Sequence, residues 1–444
     1  MAVFGAGVAG LAAARDLSRA GLAVCVLEAR DRIGGRIYTL HDPSLPLPVE
    51  LGAEFIHGTP PDIHAIVQAA GLPIYEIDGD RWRSHEGTLA PGDDRWSQVD
   101  SVLRRMEQVD EHDQSFQAFV EPYLQDERWR EAADLATSYI EGFDAALIDR
   151  VSVYALAREQ RASAANDGDR AFRVLSGYDQ VARWLRAGFD PRSAALHLNT
   201  VVTEVRWRRG AVTLLAQSRL GHALEPFHAR CAVVTLPLGV LQAPPDSPGS
   251  VRFSPALPEK QDAVQQLEMG HVVKITLRFR ERLWMNDQLI AGSGGERLDS
   301  LSFLLSRDPW MPTWWTAHPL RAPLLTGWAG GPAAARFAGQ GEQFVANQAV
   351  DALARLLGVA RGTLEGLLEG WYVHDWQADP FARGAYSYVA VGGIDAPQRL
   401  AAPIDDTLFF AGEATDSAGH TGTVHGALAS GRRAAREVIE CLKG

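Results

Sequence analysis

The residues best spaced for chemistry stand at the start of the chain. The run Val3-Phe4-Gly5-Ala6-Gly7-Val8-Ala9-Gly10 carries glycines at Gly5, Gly7 and Gly10, with Glu28 about 20 residues further on. In such a run the first glycine permits a tight turn and the second lets phosphate approach the backbone. The third lets a helix pack on the preceding strand, with its N-terminal N–H groups aimed at a pyrophosphate. A carboxylate at the next strand's end can accept both hydroxyls of a ribose. The spacing therefore points to a bound dinucleotide and leaves its identity open. Lys274 is a second candidate, inside the apolar run His271-Val272-Val273-Lys274-Ile275-Thr276-Leu277. A lysine there is costly unless partnered or solvated, and alternation alone equally allows it to be the strand's outward residue.

The elements that must hold these residues are readable nearby. Ala2-Val3-Phe4 reads as a buried strand, Leu11 to Ala20 as an Ala-rich helix ended by Gly21, and Leu22 to Leu27 as a second strand that delivers Glu28. At 444 residues, two domains are expected. No apolar run approaches the roughly 20 residues a membrane span needs. The start shows no basic region, apolar stretch and cleavage site, so no export signal is expected, although an upstream residue or two would lengthen the short first strand. Cys25, Cys231 and Cys441 match no metal spacing. They read as free thiols of a reducing cytoplasm, and no metal is expected. A net charge of −12 argues against nucleic acid and mildly favours a cationic ligand.

The segment after Glu28, Ala29-Arg30-Asp31-Arg32-Ile33-Gly34-Gly35-Arg36, resembles the second signature of the flavin amine oxidase superfamily. The resemblance extends through Val49-Glu50-Leu51-Gly52-Ala53-Glu54-Phe55-Ile56-His57-Gly58 and a helical stretch around Gly177-Tyr178-Asp179-Gln180. It continues in the strand-like runs Leu198 to Val205 and Val233 to Leu241, then in Trp376 to Tyr388 and in Gly412-Glu413-Ala414-Thr415 with Thr421-Gly422-Thr423-Val424. It implies FAD, held without a covalent bond, because Ala385 stands where monoamine oxidases carry the flavin-bound cysteine. It also implies an α/β fold, a Rossmann-type FAD-binding domain with an interleaved α+β substrate domain. The expected division is 1–75, 170–254 and 400–444 for FAD, with 76–169 and 255–399 for the substrate.

Carried over position by position, the resemblance implies that Gly5, Gly7, Gly10, Glu28, Ala29, Arg30, Gly35 and Arg36 hold the nucleotide, Arg36 against the pyrophosphate. Gly52, Ala53, Glu54 and Phe55 would pass beside the flavin ring, and Val202 and Leu236 would lie on the adenine side. Gly412 and Glu413 would meet the ribityl chain, while Thr423 and Val424 would face the flavin N1/O2 edge. Lys274 would hold a water against flavin N5 and assist reaction with oxygen, Trp376 would line the flavin, and Tyr386 would form an aromatic wall for the amine. Glu54, His57, Tyr386 and Thr423 are the implied substrate contacts. Thr423 departs from the second tyrosine common in monoamine and polyamine oxidases, so one wall of the cage is missing or comes from elsewhere.

The implied reaction is oxidation of a primary or secondary amine to an imine by hydride transfer to flavin N5. Oxygen is reduced to hydrogen peroxide and the imine is hydrolysed to an aldehyde. The expected partners are a small-molecule amine and oxygen, with neither nucleic acid nor membrane, in a monomer or homodimer. An L-amino-acid oxidase is the nearest rival, but Glu54 stands where such oxidases present an arginine. A flavin desaturase, and a non-enzymatic binding protein of the same fold, are the remaining alternatives. In the insertions, patterns at Asp100 to Gln117 and Asp126 to Glu141 predict amphipathic helices, and Val272 to Phe279 and Leu324 to Trp328 predict strands. The tryptophans Trp310, Trp314, Trp315, Trp328 and Trp371 read mostly as core or rim.

Overall fold

The computed structural model describes residues 1–85, 87–92, 95–109, 112–286, 289–290 and 298–443. The apolar strand Ala2–Phe4 is flanked in parallel by Val24–Leu27 and Ala232–Val234. Ala194–His197 and Leu408–Phe410 complete a five-stranded parallel sheet. Its strands thus come from both ends and the middle of the chain. The sheet is short but apolar: Val3, Phe4, Val26 and Phe409 are all buried, and each large side chain so buried contributes roughly 1.5–3 kcal/mol.

The helix Val8–Arg19 follows the glycine turn, and the final helix, Val424–Cys441, packs beside it. Small residues make that packing possible: a Cβ on Gly431 would lie 2.2 Å from the Ala9 carbonyl oxygen. Thr200–Arg208 and Ala211–Ser218 form the core of a four-stranded sheet with Phe227–Ala229 and Arg252–Ser254. The strand expected over Leu198 to Val205 begins only at Thr200: Leu198 and Asn199, the latter at φ 53°, lie in the bend between Ala194–His197 and Thr200–Arg208.

A seven-stranded sheet carries the Lys274 strand. Val272–Phe279 lies between Leu324–Gly330 and Leu368–Val373, antiparallel to both. Thr313–Thr316, Leu301–Leu305, Asp80–His85 and Thr88–Pro91 extend it. The helix Glu342–Leu357 buries an apolar face against this sheet's core. The helices Phe116–Gln125, Arg130–Phe143 and Val153–Ala164 form a separate apolar cluster. The helix expected over Asp100 to Gln117 is interrupted. Arg95–Leu103 tightens into the 3₁₀ turn Arg104–Gln108, and a new helix starts at Phe116 under a Ser115 cap. Residues 110 and 111 of that stretch lie outside the described residues.

Candidate active site

Local sequence builds the phosphate cradle. Gly5 adopts φ +113°, and a Cβ on Gly10 would lie 1.9 Å from the Gly5 carbonyl oxygen, so both positions demand glycine. Gly7 differs: the nearest atom to its hypothetical Cβ is the Gly35 Cα at 3.8 Å. Gly7 bridges to Gly34 in parallel fashion, which brings the two glycine runs face to face with open backbone between them. Glu28 is buried and accepts the Ala6 N–H at 2.7 Å and the Arg30 N–H at 2.9 Å. These bonds fix the carboxylate at the strand's end and leave it lone pairs for ribose hydroxyls.

The neighbouring arginines face across the molecule. Arg30 follows Ala29 but turns its guanidinium to Asp379 at 2.8 Å, over the Phe381 ring. Burial would raise the Asp379 carboxyl, yet His374 and Arg30 hold it well below the usual carboxylate range. Arg36 donates to the Ala385 carbonyl and to Glu413, both at 2.8 Å. The second Glu413 oxygen accepts from the Ser387 hydroxyl at 2.6 Å and the Gly422 N–H at 2.9 Å. Glu413 therefore ties the strand Tyr386–Val389 to the approach of the final helix. Arg36, Leu236, Gly412 and Glu413 line a small recess, and nothing lies closer than 4.0 Å to a Cβ added at Gly412. Val202 stands where the strand pairing slips before Glu204, a bulge that loosens the backbone ladder there.

These features fit FAD. Two glycine backbones approach each other without side chains, a fixed carboxylate closes one end, and Arg36 beside open Gly412 supplies the other.

The opposite wall is assembled from distant segments. Trp376 is buried and donates from Nε1 to the Leu51 carbonyl at 2.8 Å. A Cβ on Gly52 would meet that ring at 3.0 Å and the Arg36 carbonyl oxygen at 2.0 Å. Ala53 donates its N–H to the same Arg36 carbonyl. Lys274 is 4% exposed; its Nζ donates to the Gly52 carbonyl at 3.0 Å and pairs with Glu54 at 2.6 Å. The other Glu54 oxygen meets Arg173 Nε at 2.7 Å and the Trp315 N–H at 3.1 Å. Burial opposes ionisation of Glu54, but Lys274 and Arg173 outweigh it and hold the carboxyl below its ordinary value. Glu50, close by, pairs with no cation among the described residues. Burial pushes it up to about 7 against bonds from the Tyr178 N–H and the Thr39 hydroxyl.

Tyr386 pairs with Gly270 across a short antiparallel ladder, four positions before Lys274, and its hydroxyl donates to the Phe143 carbonyl at 2.5 Å. Phe143 stacks on Tyr139 at 5.1 Å and meets the His57 ring edge-on at 5.4 Å. Phe55 packs against His57 and Trp315, under the Arg173 guanidinium. Burial pushes His57 down to about 4 and His425 down to about 3, so both rings are neutral near pH 7. Asp144, beside Tyr386, is pushed up to about 7 by burial, and burial with Asp144 raises Glu159 further. Thr423 caps the final helix: its hydroxyl accepts the Gly426 N–H at 2.9 Å and donates to the His420 carbonyl at 2.7 Å. Val424 is the first residue of that helix.

Arg173, Asp144, Glu159, Phe143 and His425 were not singled out from the sequence, and Trp315 was read there with the core or rim tryptophans rather than as the partner of Glu54. An arginine inside Ala171-Phe172-Arg173-Val174 was the available signal, of the same kind that marked Lys274. Asp144 and Glu159 lie outside the helical patterns at Asp100 to Gln117 and Asp126 to Glu141, and nothing in their local sequence marked them.

The chain resembles known proteins along its whole length. Polyamine oxidase 2 of Arabidopsis thaliana is 31% identical over 98% of this chain and 87% of that relative. Lysine-specific histone demethylase 1 homolog 3 of Arabidopsis thaliana is 28% identical over 99% of this chain, which spans 30% of that longer protein. A solved putrescine oxidase, wild type bound to putrescine, superposes with a TM-score of 0.79 at 21% identity, covering 99% of this chain and 98% of that one. Cyclohexylamine oxidase from Brevibacterium oxydans gives 0.79 at 20% identity, covering 100% and 99%. The family model described as flavin containing amine oxidoreductase matches residues 8–439. With the cradle and its facing wall in place, this chain belongs to the flavin-containing amine oxidoreductase family, as an FAD-dependent amine oxidase.

Proposed function

We propose that the preferred substrate is an amine carrying a second basic nitrogen, a diamine or polyamine. The observation that supports this reading most directly is a pair of half-buried carboxyls: Asp144 directly follows Phe143, whose carbonyl takes the Tyr386 hydroxyl, and Glu159 is near enough for Asp144 to raise its carboxyl. A second ammonium there would stabilise both carboxylates and draw their raised values down. The likeness to a polyamine oxidase at 31% identity supports the same class. Residues 1–75, 170–254 and 400–444 would carry FAD, while 76–169 and 255–399 would shape the amine site, within a cytoplasmic protein whose three cysteines are free thiols.

When bound, FAD supplies the two-electron acceptor for the amine and the reductant for oxygen. The chain's own residues set the geometry around it. Tyr386, Phe143 and Phe55 offer ring faces and edges for the methylene chain to pack on. Neutral His57 places no competing cation beside an incoming amine. Trp376 keeps Gly52 and its carbonyl in place, and Lys274 stands on that carbonyl where reaction with oxygen would be assisted. Arg173 already pairs with Glu54 through Nε, which weighs against a role as the carboxylate clamp of an amino-acid oxidase.

Purified holoenzyme mixed anaerobically with monoamines, diamines, polyamines and amino acids tests the proposal. Diamines or polyamines are expected to bleach the flavin about tenfold faster than monoamines of equal length, a difference of about 1.4 kcal/mol. Equal rates for matched monoamines would overturn it. Asp144→Asn is expected to remove the diamine preference while leaving monoamine oxidation within about threefold.

A further inference from the structure

Lys274 is a buried cation on an apolar strand, and its surroundings explain how it is tolerated. Its ammonium has three donors; Gly52 supplies one acceptor and Glu54 another. Glu54 also reaches Arg173, which is 6% exposed, and the indole N–H of Trp315. Arg173 comes from the strand Ala171–Val174, Lys274 from Val272–Phe279 and Trp315 from Thr313–Thr316. One carboxylate thus bridges two buried cations that belong to different sheets. Removing it would leave two like charges facing each other in a low-dielectric site, which is strongly unfavourable.

The bridge also has a direction. Glu54 lies two residues after Gly52, so the carboxylate and the carbonyl that receive Lys274 belong to one short loop. That loop is pinned from the other side by the Trp376 ring and by Ala53 on the Arg36 carbonyl. The ammonium is therefore held at two points, beside the surface that Trp376 and Gly52 present. The hydrogen bond to the Gly52 carbonyl sets the direction of the ammonium, and the ion pair with Glu54 sets its charge environment.

We propose that Glu54 is a positioning residue, neither a cofactor nor a substrate contact: by bridging Lys274 and Arg173 it aims the Lys274 ammonium at the reacting face of the flavin site. The proposal rests on Lys274 assisting the reaction with oxygen, and its test reads the lysine directly. Lys260, Lys274 and Lys443 are the only lysines in the sequence. Lysine isotopically labelled at Cε therefore gives a sparse NMR spectrum, in which Lys274→Met identifies the resonance of interest. In Glu54→Gln that resonance is expected to shift and broaden, with or without FAD. Lys260, bound to the carbonyls of Arg399, Leu400 and Ala402, should not move.

In the holoenzyme, Glu54→Gln is expected to slow reoxidation of reduced flavin by oxygen about tenfold, with anaerobic reduction by amine changed less than about threefold. Glu54→Gln combined with Arg173→Met removes the orphaned cation and guards against simple misfolding. It should show the same Lys274 signal change and the same split between half-reactions. A Lys274 resonance that stays fixed in either folded variant overturns the proposal, as does an equal loss in both half-reactions. The amine reading itself fails separately, by absence of bleaching in the unsubstituted enzyme.

Discussion

The glycine cradle and the Lys274 wall lie on two sides of one site, yet they are built by opposite means. The cradle is local: Gly5, Gly7, Gly10 and Glu28 sit within one strand–turn–helix–strand unit, and backbone sterics do most of the work. The wall is non-local: Lys274, Glu54, Arg173 and Trp315 are scattered along the chain and meet through charge. The cradle depends on the absence of side chains, the wall on side chains that satisfy one another. A defect in the first should act through shape, and a defect in the second through electrostatics.

The largest expected effect is on the cradle's shape. Gly10→Ala places a Cβ 1.9 Å from the Gly5 carbonyl oxygen, so the turn must open. A loss of roughly 4 kcal/mol in stability is expected, read by chemical denaturation, along with loss of flavin colour. A folded, yellow Gly10→Ala protein would break the contrast.

Next comes charge on the wall. Glu50 has its carboxyl raised from 4.5 to about 7 by burial. The protonated form is thus favoured by folding, and that contribution is complete below about pH 4.5 and lost as pH rises through about 7. Glu50→Gln does not titrate, so its stability relative to the unsubstituted protein should rise over that window, by roughly 3 kcal/mol. Melting curves at about pH 5 and about pH 8 measure it. A constant difference would show that Glu50 is solvated or partnered beyond what its bonds to Thr39 and Tyr178 indicate.

Gly7→Ala is the sharper counterpart to Gly10→Ala. Its Cβ meets nothing nearer than 3.8 Å, so the fold should survive while FAD affinity falls about tenfold, about 1.4 kcal/mol. Equilibrium titration of apoprotein with FAD checks it, and equal stability losses at Gly7 and Gly10 would contradict the distinction. The smallest effect is expected at Tyr386→Phe, which keeps the ring and loses the bond to the Phe143 carbonyl. About 1 kcal/mol of stability and a KM raised about threefold are expected, seen in steady-state kinetics with kcat retained.

The sequence by itself determined the cradle, because each requirement there is met within one short stretch: glycine where φ is positive or backbone approaches backbone, and a carboxylate at the next strand's end. It also determined the strand Val272–Phe279, since an apolar run of that length has few other places to go. It marked Lys274 as costly without saying what offsets the cost. Only the tertiary structure decided that Glu54 takes Lys274 and Arg173, that Glu413 joins Arg36 to Ser387 and Gly422, and that Thr423 spends its hydroxyl on a helix cap. Charges and side-chain bonds find partners through space, and residues over 200 positions apart, such as Gly52 and Lys274 with a separation of 222, carry no local sign of meeting. Backbone sterics act between neighbours in sequence, which is why the cradle was legible and the wall was not.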